Sequence, residues 1–160
     1  MEIHFSENRL TELRDVQPFL FELLKEIVVV AGSTDPRVEA RFFPAPIAGS
    51  DESGLADDWN AYVQPGLQDG FREARDVVQA DLRGASARGD NYFLEIAFPH
   101  IEAWLNALNQ ARLAISEQHG FGEKELSEEI PPAIGSLRDR ALLQMHFYGM
   151  LQEWFVRSLD

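Results

Sequence analysis

The chain has 160 residues, with 27 acidic against 14 basic side chains and a formal net charge of −13. Its 45% hydrophobic and 11% aromatic content supports a packed core, and one domain of this length needs no disulfide or metal to hold it. Without a cysteine there is no disulfide, thiolate zinc site, iron–sulfur cluster or thiol catalysis. The acidic excess argues against a nucleic-acid partner.

The opening MEIHFSENRL carries acids and a histidine where a secretory signal needs basic residues and an apolar core. The densest apolar run, residues 27–31, is far short of the ~20 residues of a bilayer span. The expectation is a cytoplasmic protein with no membrane contact. Residues 2–5 alternate apolar and polar, which predicts a half-buried strand. Ser6 reads as a helix N-cap with Glu7 in the first turn. Leu10, Leu13, Val16, Leu20, Leu23, Leu24, Ile27 and Val28 then keep helical spacing, with Arg14, Asp15, Glu22, Lys25 and Glu26 opposite. Pro18 falls on the polar side, so the spacing predicts one helix bent there.

Asp35 followed by Pro36 starts a short helix that Pro44 and Pro46 close. Residues 44–56, PAPIAGSDESGLA, read as a mobile acidic surface loop. A helical pattern returns around Trp59, Tyr62 and Val63, and resumes after Pro65 and Gly66 through Leu67, Phe71, Ala74, Val78 and Leu82. Residues 83–91 read as a turn. Residues 92–96 have strand character and are expected to pair with residues 2–5, a ribbon that must lie on helices to persist. Pro99 opens a helix whose stripe is Ile101, Trp104, Leu105, Leu108 and Ile115, ended by Gly120 and Gly122.

Ser136 and Asp139 cap a last helix over about residues 137–159. Leu142, Leu143, Met145, Phe147, Tyr148, Met150, Leu151, Trp154 and Phe155 cover most of its circumference, leaving His146, Glu153 and Arg157 on a narrow polar strip. Such a helix is central to a bundle or lies in an interface. The expected fold is mainly α: a single helical domain over residues 1–160, about five helices around the C-terminal one, with a small two-stranded β element.

The segments AWLNALNQARLAI (103–115) and FYGMLQEWFVRSL (147–159), together with DPRVEARFFP (35–44), resemble an uncharacterised, mostly helical bacterial family that includes the actinobacterial acid and oxidative stress regulator. The pattern W-L-x-x-L-N-x-x-R-L, beginning at Trp104, is its most specific part. The resemblance implies a small cytoplasmic helical protein that regulates transcription by binding a sigma factor or another protein. The regulator's proposed sensor is a cysteine pair. This chain has no cysteine, so thiol redox sensing does not carry over.

Chemistry-bearing constellations are sparse. His4, His100, His119 and His146 show neither a glutamate three residues upstream nor a metal-binding helical spacing, so no metal and no cofactor are expected. His100 and Glu102 form an H-x-E that chance produces often, and His119 near a helix C-terminus is explained by the dipole. The acidic pairs Asp51–Glu52, Asp57–Asp58 and Glu128–Glu129 read as solvated loop charge rather than acid–base pairs. No nucleophile elbow, phosphate loop or dinucleotide fingerprint occurs. The arginine pairs Arg37/Arg41, Arg72/Arg75 and Arg138/Arg140 make no basic run.

No catalytic residue is assigned, and an enzyme is the third-ranked reading. The leading one is a non-enzymatic protein-interaction or regulatory module whose partner is another protein or a second copy, as a homodimer. The alternative is a small-molecule or anion-binding domain centred on Arg112, which borders the apolar stripe and must reach water or a carboxylate. Trp104, Asn106 and Asn109 would supply stacking and polar groups, and His146 and Glu153 complete the candidate binding set. An intramolecular ion pair that fixes helix packing is the competing account of Arg112.

Overall fold

The N-terminal segment forms a hairpin rather than a strand followed by a helix. In the computed structural model, which describes residues 1–44, 53–128, 130 and 133–160, β1 (Glu2–Phe5) pairs antiparallel with β2 (Leu10–Val16). Ser6 closes the turn, its N–H donating to the Leu10 carbonyl at 2.9 Å, and Arg9 turns the chain at φ 59°. β2 carries Thr11 and Leu13 inward, then slips register: Leu13 faces Leu94, but Val16 faces Tyr92. Asp15 occupies that bulge at φ 50°. The bulge returns Val16 to the core three residues after Leu13, a spacing that imitates one helical turn. Pro18 is therefore no bend. It opens α1 (Pro18–Ala31), where its missing N–H has no helical partner to lose.

β4 (Asn91–Ala97) contains the expected strand, but its neighbour is β2 and not β1. Within the expected turn, Ser86–Arg88 forms β3 on the other side of β4. The sheet is four-stranded and antiparallel, in the order β1-β2-β4-β3. The mainly α bundle with a two-stranded element is thus corrected to an α+β fold. Its physical reason is burial: Leu13, Val16, Leu94 and Ile96 enter the same apolar cluster as the helices, which a bare ribbon could not achieve.

α2 (Pro36–Phe42) begins as expected, the Asp35 carboxylate accepting from the Arg37 backbone N–H at 2.9 Å. Of the expected loop at 44–56, residues 45–52 lie outside the described residues. From residue 53 the chain is helical: α3 (Ser53–Asp58) passes through a π-helical stretch (Trp59–Val63) into α4 (Gln64–Arg83). Pro65 lies in the first turn of α4 and separates nothing. A 3-10 turn (Phe98–His100) leads into α5 (Ile101–His119), which ends at Gly120 with φ 65°, a left-handed position where a side chain would be strained. α6 (Glu123–Leu126) is a single turn, and α7 (Leu137–Arg157) starts at Ser136, whose Oγ accepts from the Asp139 N–H at 3.1 Å.

The helix at the centre is α5 and not the C-terminal α7, because it is α5 that packs against α1, α2, α4 and α7. Its fully buried Ala107, Ala111 and Ala114 let neighbouring backbones approach. α7 lays Leu142, Met145, Phe147, Tyr148, Leu151 and Phe155 against this core, while Met150, Trp154 and Val156 remain exposed. A polar chain also ties α7 to α1. The Tyr148 hydroxyl donates to the Leu23 carbonyl at 2.6 Å and accepts from Gln144 Nε2 at 2.7 Å. Gln144 donates to Glu26 at 3.0 Å, and Arg140 pairs with the same carboxylate. Burial holds the Tyr148 hydroxyl protonated well above the ordinary tyrosine range.

Candidate functional site

α5, α6 and α7 enclose a cleft of about 280 Å³. α7 contributes Leu142, Met145, His146, Gly149, Met150 and Glu153, positions at helical spacing along one face. α6 contributes Glu125 and Leu126, and α5 contributes Arg112. The guanidinium lies over Gly149: a Cβ there would stand 3.6 Å from Arg112 Cζ and Nη2, an ordinary van der Waals contact.

The partners of Arg112 are few. Nη1 donates to Gln152 Oε1 at 2.7 Å, whereas Nε is buried with no hydrogen-bond partner. Among the described residues no carboxylate pairs with it, so the competing account of an internal ion pair finds no support. Burial alone pulls its pKa below the usual arginine value. The two acids on the cleft wall are otherwise engaged. Glu125 accepts from the Gly122 N–H at 2.8 Å, a bond that holds its carboxyl below the ordinary range, and Glu153 pairs with Arg157. The cleft therefore holds a cation with unused donors, half-buried His146 beside it and an apolar wall. That set can bind an anionic group; it contains no nucleophile paired with a base.

Of the candidate residues, Arg112, His146 and Glu153 line one cleft. Trp104 does not join them. It is fully buried, its Nε1–H donates to Asp81 Oδ2 at 2.8 Å, and its ring meets Phe155 edge-on at 5.8 Å. Asn106 and Asn109 are exposed and line no part of the cleft. Sequence reasoning missed Gly149 and Gln152. A glycine within so apolar a helix is the signal that marks a close approach at the first; nothing in the sequence marks the second.

His100 is less bland than its spacing implied. Its Nδ1 lies 2.9 and 3.1 Å from the two oxygens of Asp81, so one carboxylate on α4 clamps the start of α5 through His100 and Trp104. Among the described residues, no three histidine, aspartate or glutamate side chains are placed to hold a metal ion. Asp57 and Asp58 are exposed on α3, while Asp51, Glu52 and Glu129 lie outside the described residues. No helix among the described residues is long and apolar enough to cross a membrane.

A family described as a domain of unknown function, DUF2017, matches residues 7–159. The chain belongs to this family. The match takes in every element from β2 to α7, including all the residues of the Arg112 cleft. No curated protein and no solved structure matches the chain.

Proposed function

We propose that this member of the family is a non-enzymatic interaction module that receives a carboxylate of a partner protein in the Arg112 cleft. The observation that carries the reading is the state of Arg112: half-buried, supported by one neutral hydrogen bond, and open to a cleft. An arginine so placed is costly to the fold unless something completes it, and a carboxylate does so with two parallel N–H···O bonds.

The surroundings favour a protein over a small metabolite. Leu126 and Met150 are exposed on the cleft wall, Trp154 lies one turn beyond Met150, Ile130 and Ile134 are exposed between α6 and α7, and Leu137 is exposed at the start of α7. A ligand the size of the cleft would leave most of that apolar surface wet, whereas a protein would cover it. A cytoplasmic regulator related to the acid and oxidative stress regulator fits this reading, with partner binding and not thiol chemistry as its mode of action.

The test is site-specific crosslinking in cells from a photoreactive residue in place of Met150. A defined adduct, lost with Arg112→Gln, is the expected result. The reading fails if no defined adduct forms, or if the same adduct persists after Arg112→Gln. An adduct between two copies of this chain, matched by a dimer in light scattering, would identify the partner as a second copy.

A further inference from the structure

A second cleft, of about 240 Å³, opens where the end of α1 and the following loop meet α2 and α4. Its floor is aromatic: Phe43 and Phe71 stack at 5.5 Å, and Phe42 meets Phe71 edge-on at 6.2 Å. Its charged groups are Arg72 and Arg75 from α4 and Glu39 from α2.

These charges are not equivalent. Arg37, Arg41, Arg72, Arg138 and Arg140, the other members of the arginine pairs in the sequence, each face a carboxylate within 4.0 Å. Arg75 faces none among the described residues. Its Nη1 reaches the Ala31 carbonyl and Gln110 Oε1, both at 3.5 Å, the outer limit of a hydrogen bond. Gln110 is itself 2% exposed, and its Nε2 has no partner. The guanidinium lies beside Gly32, where a Cβ would stand at an ordinary 3.5 Å from Arg75 Nε. Glu39, on the rim, likewise makes no ion pair among the described residues. Arg72 is spoken for by Asp69.

We infer that this cleft binds a free α-amino acid with an apolar side chain, its carboxylate on Arg75, its ammonium towards Glu39 and its side chain on the phenylalanine floor. The cleft offers one uncommitted cation, one uncommitted carboxylate and one apolar surface. A zwitterion with an apolar body meets all three. A doubly charged anion such as a phosphate ester would meet Glu39 with the wrong sign, in a chain whose net charge is already −13. Position alone would also fit Arg75 as a cap on the last carbonyls of α1. Bonds of 3.5 Å to one carbonyl and one amide leave most of its five donors unused, and it is those donors that a ligand carboxylate would take.

The site differs from the Arg112 cleft and does not depend on that reading. Calorimetric titration of the full chain with L-phenylalanine and L-leucine tests it, with 3-phenylpropionate and phenethylamine as one-charge analogues. Saturable binding of at least one amino acid is expected, weaker by tenfold or more for both analogues. Arg75→Gln should weaken it at least tenfold and Arg75→Lys severalfold, because lysine keeps the charge and loses the fork. Glu39→Gln should weaken the amino acid and spare 3-phenylpropionate, and Arg112→Gln should change nothing. The proposal is overturned by absence of saturable heat for either amino acid, by 3-phenylpropionate binding as tightly, or by binding that follows Arg112 instead of Arg75. If Arg75→Gln fails to fold, the Arg75→Lys and Glu39→Gln results decide.

Discussion

Replacing Arg112 with methionine separates a structural arginine from one kept for a partner. Methionine keeps an apolar stem of similar length and deletes the charged group that lies over Gly149. On the debit side, one charge-assisted hydrogen bond to Gln152 disappears, a net loss of about 1.5–3 kcal/mol for such a bond when buried. Gln152 is only partly buried, so water recovers much of that loss. On the other side, a half-buried guanidinium with an orphaned Nε no longer has to be desolvated. Swaps of buried charge for apolar groups of similar volume range from neutral to about 1–4 kcal/mol stabilising. Partial exposure puts this site in the lower half, between about 0 and 2 kcal/mol more stable. Urea unfolding followed by circular dichroism reads it as a raised midpoint at unchanged slope. A loss of about 2 kcal/mol or more would show that the guanidinium is satisfied within the fold and has no need of a partner's carboxylate.

Tyr148→Phe removes a buried hydroxyl that donates to Leu23 and accepts from Gln144, and should cost about 1–3 kcal/mol in the same urea assay. A pH dependence follows, because the folded pKa of Tyr148 is raised. The unfolded chain releases this proton from about pH 10. Its contribution is therefore complete below about pH 10 and lost as pH climbs, and the phenylalanine variant should show a shallower alkaline decline in stability. Asp35 shifts the other way, held below the usual carboxylate range by its bonds to Arg37. Its support of α2 is present above about pH 4 and fades on acidification, which amide exchange in α2 should report as smaller protection factors, relative to the intrinsic rate at each pH, below that value. Gly149→Ala should raise the melting temperature, since alanine is about 1 kcal/mol better in a helix interior and its Cβ meets Arg112 at an ordinary 3.6 Å. A lower melting temperature would mean that the guanidinium cannot yield any space.

Local chemistry was legible wherever one residue settles its own neighbourhood. The Asp35–Pro36 start, the Gly120 stop and the Ser136–Asp139 cap follow from donors and acceptors within a few residues, and each is found where the sequence puts it. In the cleft, the same kind of reasoning picked out Arg112, because a charge bordering an apolar stripe must be accounted for. It misplaced Trp104, since the Asp81 that takes the indole N–H lies 23 positions earlier in the chain. Asn106 and Asn109 failed for a related reason: each three-residue step back from Arg112 turns about 60° around the axis of α5, and those steps carry both side chains out of the cleft to exposed positions.

The sequence by itself determined the caps, the buried stripe of α5, and an arginine bordering that stripe, because these are set by spacing within one element. Tertiary structure alone decided that Leu10–Val16 is a strand, that β2 lies between β1 and β4, and that the Arg112 guanidinium lies over Gly149. A bulge at Asp15 lets a strand imitate the spacing of a helix, and only pairing with a strand some 80 positions away tells the two apart.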